Sequence, residues 1–226
     1  SNSMLPFSEA WAEEYMKKFP GRKVSVQGGG STAGVKAAQS GTADIGDCSR
    51  DLKPEETGLV ATTVARDGIS VVVSKSNPVS NLTLAQVKAV FTGQVKSWKE
   101  LGGEDHVLTV ITREEGSGAR GAFEELALEK KPVFAGAIVV NSTGGIREMV
   151  KSDPYAIAFG TMGQMNDEVK SLKIDGVDAT PANAAAGTYK LVHPFLMLTK
   201  GAPSPAAQQF IDFVLSPEGQ ELIRKE

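Results

Sequence analysis

Apolar positions recur along the chain with two spacings that alternate. Pro6 to Phe19 carries Phe7, Ala10, Trp11 and Tyr15 on one helical face, and Pro20-Gly21 stops it. Ser3 stands at capping distance before that helix. Lys23 to Gln27 alternates polar and apolar, which predicts a strand. A glycine- and serine-rich turn, Gly28 to Gly34, then opens a short helix with Val35 and Ala38 inward and Gly41 as its end. Ala43 to Gly46 predicts a short strand that delivers Asp47-Cys48-Ser49-Arg50. Leu59 to Val64 and Ile69 to Ser74 predict two strands that flank a turn at Arg66-Asp67-Gly68.

Asn77-Pro78 breaks the pattern, and Thr83 caps a helix that runs through Phe91. After a loop containing Trp98, Val107 to Ile111 reads as a strand. Gly121 to Leu128 reads as a helix, with Phe123, Leu126 and Ala127 at helical spacing. Gly136 to Val140 predicts a strand, and Asn141-Ser142-Thr143 caps a helix carrying Ile146, Met149 and Val150. Ala156 to Gly160 and Phe195 to Leu198 predict further strands, with an ambiguous polar stretch over 161–188 between them. Pro205 to Leu215 and Pro217 to Arg224 close the chain as helices. Strands alternating with helices predict an α/β protein with mainly parallel pairing and no tandem repeat.

At 226 residues the chain suffices for one large domain or two small lobes. A formal charge of −3 argues against a nucleic-acid surface, which needs a clustered basic excess. The longest apolar runs, such as Ile69 to Val73, are of buried-strand size and too short to span a bilayer. No leader segment is evident at the start, which leaves the compartment open. A single cysteine, Cys48, excludes an internal disulfide.

The chemistry concentrates at strand-to-helix turns. The run Thr112-Arg113-Glu114-Glu115-Gly116-Ser117-Gly118-Ala119-Arg120 joins a predicted strand to a predicted helix. Its glycines allow close backbone approach, and Ser117 suits the N-cap. The free amides of a first helical turn attract an anion. Arg113, at the strand end, can add a planar fork, and Arg120 in the first turn calls for a negative partner. The alternative is a capped helix whose arginines pair with Glu114 and Glu115. Similar turns occur at Ser3-Met4, Ser31 and Ser49-Arg50. Serines and amides give directional donors with little charge, which suits reversible holding of a small anion better than chemistry on it.

Other motifs fit less well. Gly28-x-Gly30-x-x-Ala33 matches a dinucleotide fingerprint with Asp47 as the ribose acid, but 51–74 offers strands without a helix between them. A phosphate loop of the Walker type fails because Val35, not lysine, follows Gly34. Cys48 and Arg50 lie too close together for a cysteine phosphatase cradle. His106 and His193 give no metal-ligand spacing, and His193 before Pro194 reads as structural. These motifs therefore predict no catalytic residue, no metal and no cofactor.

The segments Gln27 to Lys36, Ala43-Asp44-Ile45-Gly46, Phe91-Thr92-Gly93 with Trp98, and Arg113 to Gly118 resemble, in this order, the phosphate-binding proteins of bacterial ABC phosphate importers. The resemblance runs nearly end to end. It implies a two-lobed, type II periplasmic-binding-protein fold that closes on inorganic phosphate in an interlobe cleft. Lobe one would comprise 1–74 plus 191–226 and lobe two 75–190, joined by crossings near Ile69 to Ser74 and Leu191 to Leu198. By that resemblance Ser3 and the Met4 amide make the first contacts, and Ser31 provides the second-turn hydroxyl. Arg113, Ser117, Gly118 and Ala119 form the arginine and the turn after it, with Glu115 holding the arginine.

Two positions depart from the family pattern. Ala119 stands where a hydroxyl residue is common, so only its amide can donate. Ser49, followed by Arg50, stands where better-known members carry an aspartate that accepts the phosphate proton. Asp67 is the first substitute for that acceptor and Asp47 the second. The resemblance further implies a periplasmic or extracytoplasmic monomer that docks on an ABC permease and takes no nucleic acid. Another tetrahedral oxyanion such as sulfate or tungstate, or a sensor coupled to a membrane kinase, is the alternative; a phosphohydrolase or dinucleotide enzyme is disfavoured.

Overall fold

The computed structural model describes residues 1–225. Its helices and strands follow in the order α1 Leu5–Lys18, α2 Ser31–Ser40, β1 Gly46–Cys48, β2 Leu59–Val73, β3 Asn81–Leu82 and α3 Leu84–Phe91. Next come β4 Thr109–Arg113, α4 Gly118–Ala127, β5 Ile138–Val140, α5 Thr143–Ser152 and β6 Ala156–Thr161. The chain ends with β7 Lys170–Ser171, β8 Lys173–Ile174, α6 Pro181–Ala185, β9 Val192–Lys200, α7 Pro205–Leu215 and α8 Pro217–Lys225. It divides into two compact units, one of residues 1–66, 116–118 and 194–226 and one of 67–115 and 119–193. The segment Ile69 to Val73 falls in the second unit because its ladder partners lie on β6 and β7.

In the first unit, β9 is the central strand, with β1 on one side and the first part of β2 on the other. Its side chains alternate between two cores, as a strand's period of two requires. Phe195 and Met197 join Phe7, Trp11 and Tyr15 of α1 and Phe210, Ile211 and Val214 of α7. Leu196 and Leu198 face the other way, onto Val35 and Ala38 of α2 and onto Cys48. Trp11 is fully buried, and its Nε1–H donates to Gly219 O at 2.7 Å, so the first and last helices share a core. Helix α2 lies close against β1 through two glycines. A Cβ on Gly34 would collide with the Asp47 backbone, and one on Gly46 with the Gly34 backbone.

In the second unit, the later part of β2 continues through β6 and β4 to β5, with β7 also pairing to β2. Ile69, Val71 and Val73 of β2 and Ile157 and Phe159 of β6 face α3 and α4. The rings of Phe123 and Phe159 stack at 4.0 Å, and Phe91 meets Phe123 edge-on at 4.8 Å. Val72, Ile111 and Ala158 face α5, where Ile146 and Val150 cover them. Thr83 caps α3 in a reciprocal capping box with Gln86, and Ser142 caps α5 by accepting from Gly145 N–H.

Several local expectations need correction. Among the described residues Lys23 to Gln27 joins no strand ladder; its alternation reflects Val24 packing beside α1, where its N–H meets Met16 Sδ at 3.4 Å. The short strand expected at 43–46 begins only at Gly46, where pairing with β9 starts. Arg66-Asp67-Gly68 is not a turn but the middle of one continuous strand. Gly68 packs beside Met162, whose terminal methyl would have to shift to admit a Cβ. Met4, not Ser3, occupies the cap position of α1, with no side-chain cap. Pairing is mixed rather than mainly parallel. The ladders β4/β5 and β4/β6, between strands alternating with α4 and α5, and the separate pair β3/β8 are parallel, whereas β2/β6, β2/β7 and β1/β9 are antiparallel. Among the described residues no helix is long and apolar enough to cross a membrane.

Phe123 stacks on Phe159 and touches Phe91, so Phe123→Ala is expected to remove about 3–5 kcal/mol of stability. Denaturant unfolding of the two proteins measures the loss, and a change below about 1 kcal/mol would mean that the aromatic cluster repacks.

Candidate functional site

The first unit gathers small polar groups at the start of α2. Gly30 is extended at the cap position (φ −69°, ψ 167°), so Ser31 begins the helix and is fully buried. Ser49 follows β1 and meets it: Ser49 N–H donates to Ser31 Oγ at 2.9 Å, and the two hydroxyl oxygens lie 3.3 Å apart. Ser1 Oγ–H donates to Ser49 Oγ at 2.8 Å. The turn Gly116–Gly118 packs onto this group. Thr32 N–H donates to Gly116 O at 3.2 Å, and a Cβ on Gly118 would collide with both Ser31 Oγ and Ser49 Oγ. Gly116 has φ +85°, a conformation that glycine adopts without strain. Ser31, Ser49 and Gly118 are thereby brought together, with Ser117 in the same turn.

The neighbouring expected residues have other occupations. Met4 N–H donates to Ser1 O at 3.2 Å, its side chain lies in the α1–α7 core, and Ser3 beside it is buried. Arg50 is almost completely buried and forks onto Glu56 through two 2.8 Å hydrogen bonds, with NH1 also donating to Asp51 O at 2.9 Å. The Glu56 carboxylate holds the Arg50 guanidinium above its ordinary pKa. Burial pushes the Cys48 thiol up, and its Sγ–H donates to Arg50 O, so this cysteine is a poor nucleophile. Burial also raises the Asp47 carboxyl, against a 2.6 Å hydrogen bond from Ser8 Oγ.

In the second unit, Arg113 ends β4 and is fully buried. Its Nε–H donates to Glu114 Oε2 at 2.8 Å and an NH2 hydrogen to Glu114 Oε1 at 3.0 Å, a two-point pair. The backbone oxygens of Val140 and Asn141 accept further bonds at 3.2 and 3.3 Å, and Thr143 Oγ1 lies 3.5 Å from NH1. The acid that holds the arginine is therefore Glu114; Glu115 is exposed. Adjacency in the chain concealed this, because neighbours on a strand point apart until the strand ends at Arg113. Arg120 finds its negative partner one turn along its own helix, where Nε–H donates to Glu124 Oε1 at 2.9 Å, and its NH1 donates to Arg113 O at 3.1 Å. Ala119 is fully buried.

Asp67 lies in β2. Its carboxyl accepts backbone N–H bonds from Gly68 and Gly163, while Oδ2 is sealed from solvent and lacks a hydrogen-bond partner among the described residues. Burial dominates and raises its pKa to about 6. Sequence reasoning passed over Ser1, Glu56 and Thr143. Only Thr143, in the cap triplet before α5, carried a local signal.

The model of the PBP superfamily domain matches residues 1–218. The phosphate-binding protein PstS of Bacillus subtilis (strain 168) is 31% identical over 228 residues, spanning 99% of this chain and 76% of that protein. A Clostridium perfringens substrate-binding protein solved with bound phosphate superposes with a TM-score of 0.94 at 39% identity, covering 100% of this chain and 94% of that one. An ABC-type phosphate transport receptor from Vibrio cholerae gives a TM-score of 0.87 at 36% identity, over 100% and 95% of the two chains. The matches extend over nearly the whole chain, and its serine-lined turns occur within them. This chain belongs to the PBP superfamily, among its PstS-type phosphate-binding proteins.

Proposed function

We propose that this chain captures inorganic phosphate outside the cytoplasmic membrane and delivers it to the permease of an ABC importer. The observation that carries this reading is the convergence of Ser31, Ser49 and the Gly116–Gly118 turn at the first turn of α2. A phosphate there meets hydroxyls and the positive end of a helix dipole. The donors assigned to it are the Ser3, Ser31, Ser49 and Ser117 hydroxyls, the Gly118 and Ala119 amides, and the NH1 edge of Arg113, while the Met4 amide is engaged by Ser1 O. Arg50 acts indirectly, by holding the loop after Ser49 through Glu56. At about 1.5–3 kcal/mol for each charge-assisted hydrogen bond, a handful suffices for micromolar affinity, about 8 kcal/mol.

The role is to hold and release, and no residue is assigned a chemical step. The Glu56 and Glu114 carboxylates already balance Arg50 and Arg113, so the site offers directional donors with little net charge. The protein acts as a monomer and takes no nucleic acid, in keeping with its net charge of −3.

Phosphate is expected to bind one-to-one, and at a hundredfold excess over Kd to stabilise the fold by about 2.7 kcal/mol. That corresponds to a rise of roughly 5–10 °C in Tm. Calorimetry and melting of phosphate-stripped protein test it, and neither heat nor shift at millimolar phosphate would refute the reading. Arg113→Ala is expected to weaken phosphate at least about thirtyfold, since it removes a buried charged donor. Arg120→Ala, which breaks an i,i+4 pair with Glu124, should cost less than about threefold. Equal losses in titrations of the two variants would contradict the assignment. Gly118→Ala places a methyl against Ser31 and Ser49, and its phosphate heat should vanish while its helical circular dichroism is retained.

A further inference from the structure

Residues 50–57 run beside α2 in the first unit and are fastened to it at both ends. At the end near Ser31, Arg50 NH2 donates to Thr32 Oγ1 at 3.4 Å. At the far end, Gln39 Nε2–H donates to Thr57 O at 3.0 Å. Between them Leu52 packs against the core of Val35, Ala38 and Cys48. Glu56 sets the direction of the Arg50 side chain. Its carboxylate accepts from NH1 and NH2 at 2.8 Å each and from Lys53 N–H at 2.8 Å, so it closes the loop while gripping the guanidinium. Both side chains are withdrawn from water, Arg50 to 4% exposure and Glu56 to 10%. A planar fork held at two points has little freedom to swing.

Thr32 is the point at which this grip reaches the site. It is the second residue of α2, beside Ser31, and its N–H donates to Gly116 O at 3.2 Å. Ser49, beside Arg50 in the chain, donates its N–H to Ser31 Oγ at 2.9 Å. Arg50 therefore joins the Ser49 loop to the first turn of α2 and, through Thr32, to the Gly116–Gly118 turn. We propose that Glu56 is a positioning residue of the phosphate site: by gripping Arg50 it fixes Thr32 and Ser49 against each other, and so sets the spacing of the Ser31 and Ser49 hydroxyls and of the glycine turn. The inference rests on the phosphate reading given above, and Glu56 acts through Arg50 rather than on the anion. Donors held in place before the ligand arrives lose little freedom on binding, so the grip raises affinity without adding a contact. A neutral amide in place of the carboxylate sets N–H against one arm of the fork and leaves a buried cation without its counter-charge. The guanidinium then turns to other acceptors and takes Thr32 and Ser49 out of register.

The experiment compares the wild type with Glu56→Gln and with the paired variant Arg50→Met/Glu56→Leu. Calorimetry with inorganic phosphate gives the affinities, and melting and amide hydrogen exchange are followed on the ligand-free proteins. Glu56→Gln is expected to weaken phosphate by about tenfold or more, as a small misplacement of donors does. Its exchange should quicken at Thr32 and Ser49 while that of α7 stays as in the wild type. The paired variant should melt close to the wild type, because apolar side chains replace a buried ion pair at little cost, and yet remain about tenfold or more weaker for phosphate. Wild-type affinity in the paired variant overturns the inference, since the pair would then serve stability alone. So does a Glu56→Gln protein that binds phosphate like the wild type, or one whose exchange quickens equally in α7. Should Glu56→Gln fail to fold, the paired variant carries the same measurements; if neither folds, the pair is structural and the inference fails. A wild type that binds no phosphate would instead sink the reading beneath it.

Discussion

A guanidinium taken fully out of water must be paired, and the edge of the second unit is built around that requirement. An unpaired charge there would cost several kcal/mol, more than most single contacts return. Arg113 meets it with a two-point bond to Glu114 and with the backbone oxygens of Val140 and Asn141, so the ends of β4 and β5 are fixed relative to each other. The same oxygens lie at the entry to α5, where Ser142 caps the helix and Thr143 approaches NH1. One buried charge thus sets the end of a strand and the start of a helix. Arg120 supports the arrangement from the next helix by donating to the Arg113 carbonyl.

The first unit solves a different problem with little charge. Ser31 and Ser49 occupy the space that a side chain on Gly118 would need, and Gly34 and Gly46 let α2 approach β1 closely enough to place Ser31 beside Ser49. Glycine therefore acts twice, once to seat the helix and once to admit the turn. The ion pair of Arg50 with Glu56 holds the loop that leaves this point, where a long cation would otherwise crowd the hydroxyls.

Much of this could be read from residue order because local chemistry and tertiary use agree. Thr83 with Gln86, Ser142 before α5 and the run from Phe195 to Leu198 each announce themselves within a few residues. The strand-to-helix turn at Ser117 was likewise legible, since glycine and serine there answer to backbone geometry. The misreadings share a cause. At Gly68 a glycine suggests a turn, but it lies within β2 and packs beside Met162, a residue far along the chain. At Val24 a true alternation of burial occurs without a ladder, because hydrogen-bond partners leave no mark on their own strand. The exchange of Glu115 for Glu114 turns on where β4 ends, which periodicity fixes only to within a residue or two.

The bond from Trp11 to Gly219 joins residues 208 positions apart, and the core around it needs Phe195 and Phe210 as well as Phe7. The core of the first unit therefore cannot close until the residues from Phe195 onward have been made. The second unit has its last residue at His193 and can be complete before that. The main core partners of the apolar face of α1 thus lie more than 170 residues further along the chain. For a chain of this design, keeping that early helix from premature association falls to whatever accompanies the nascent protein.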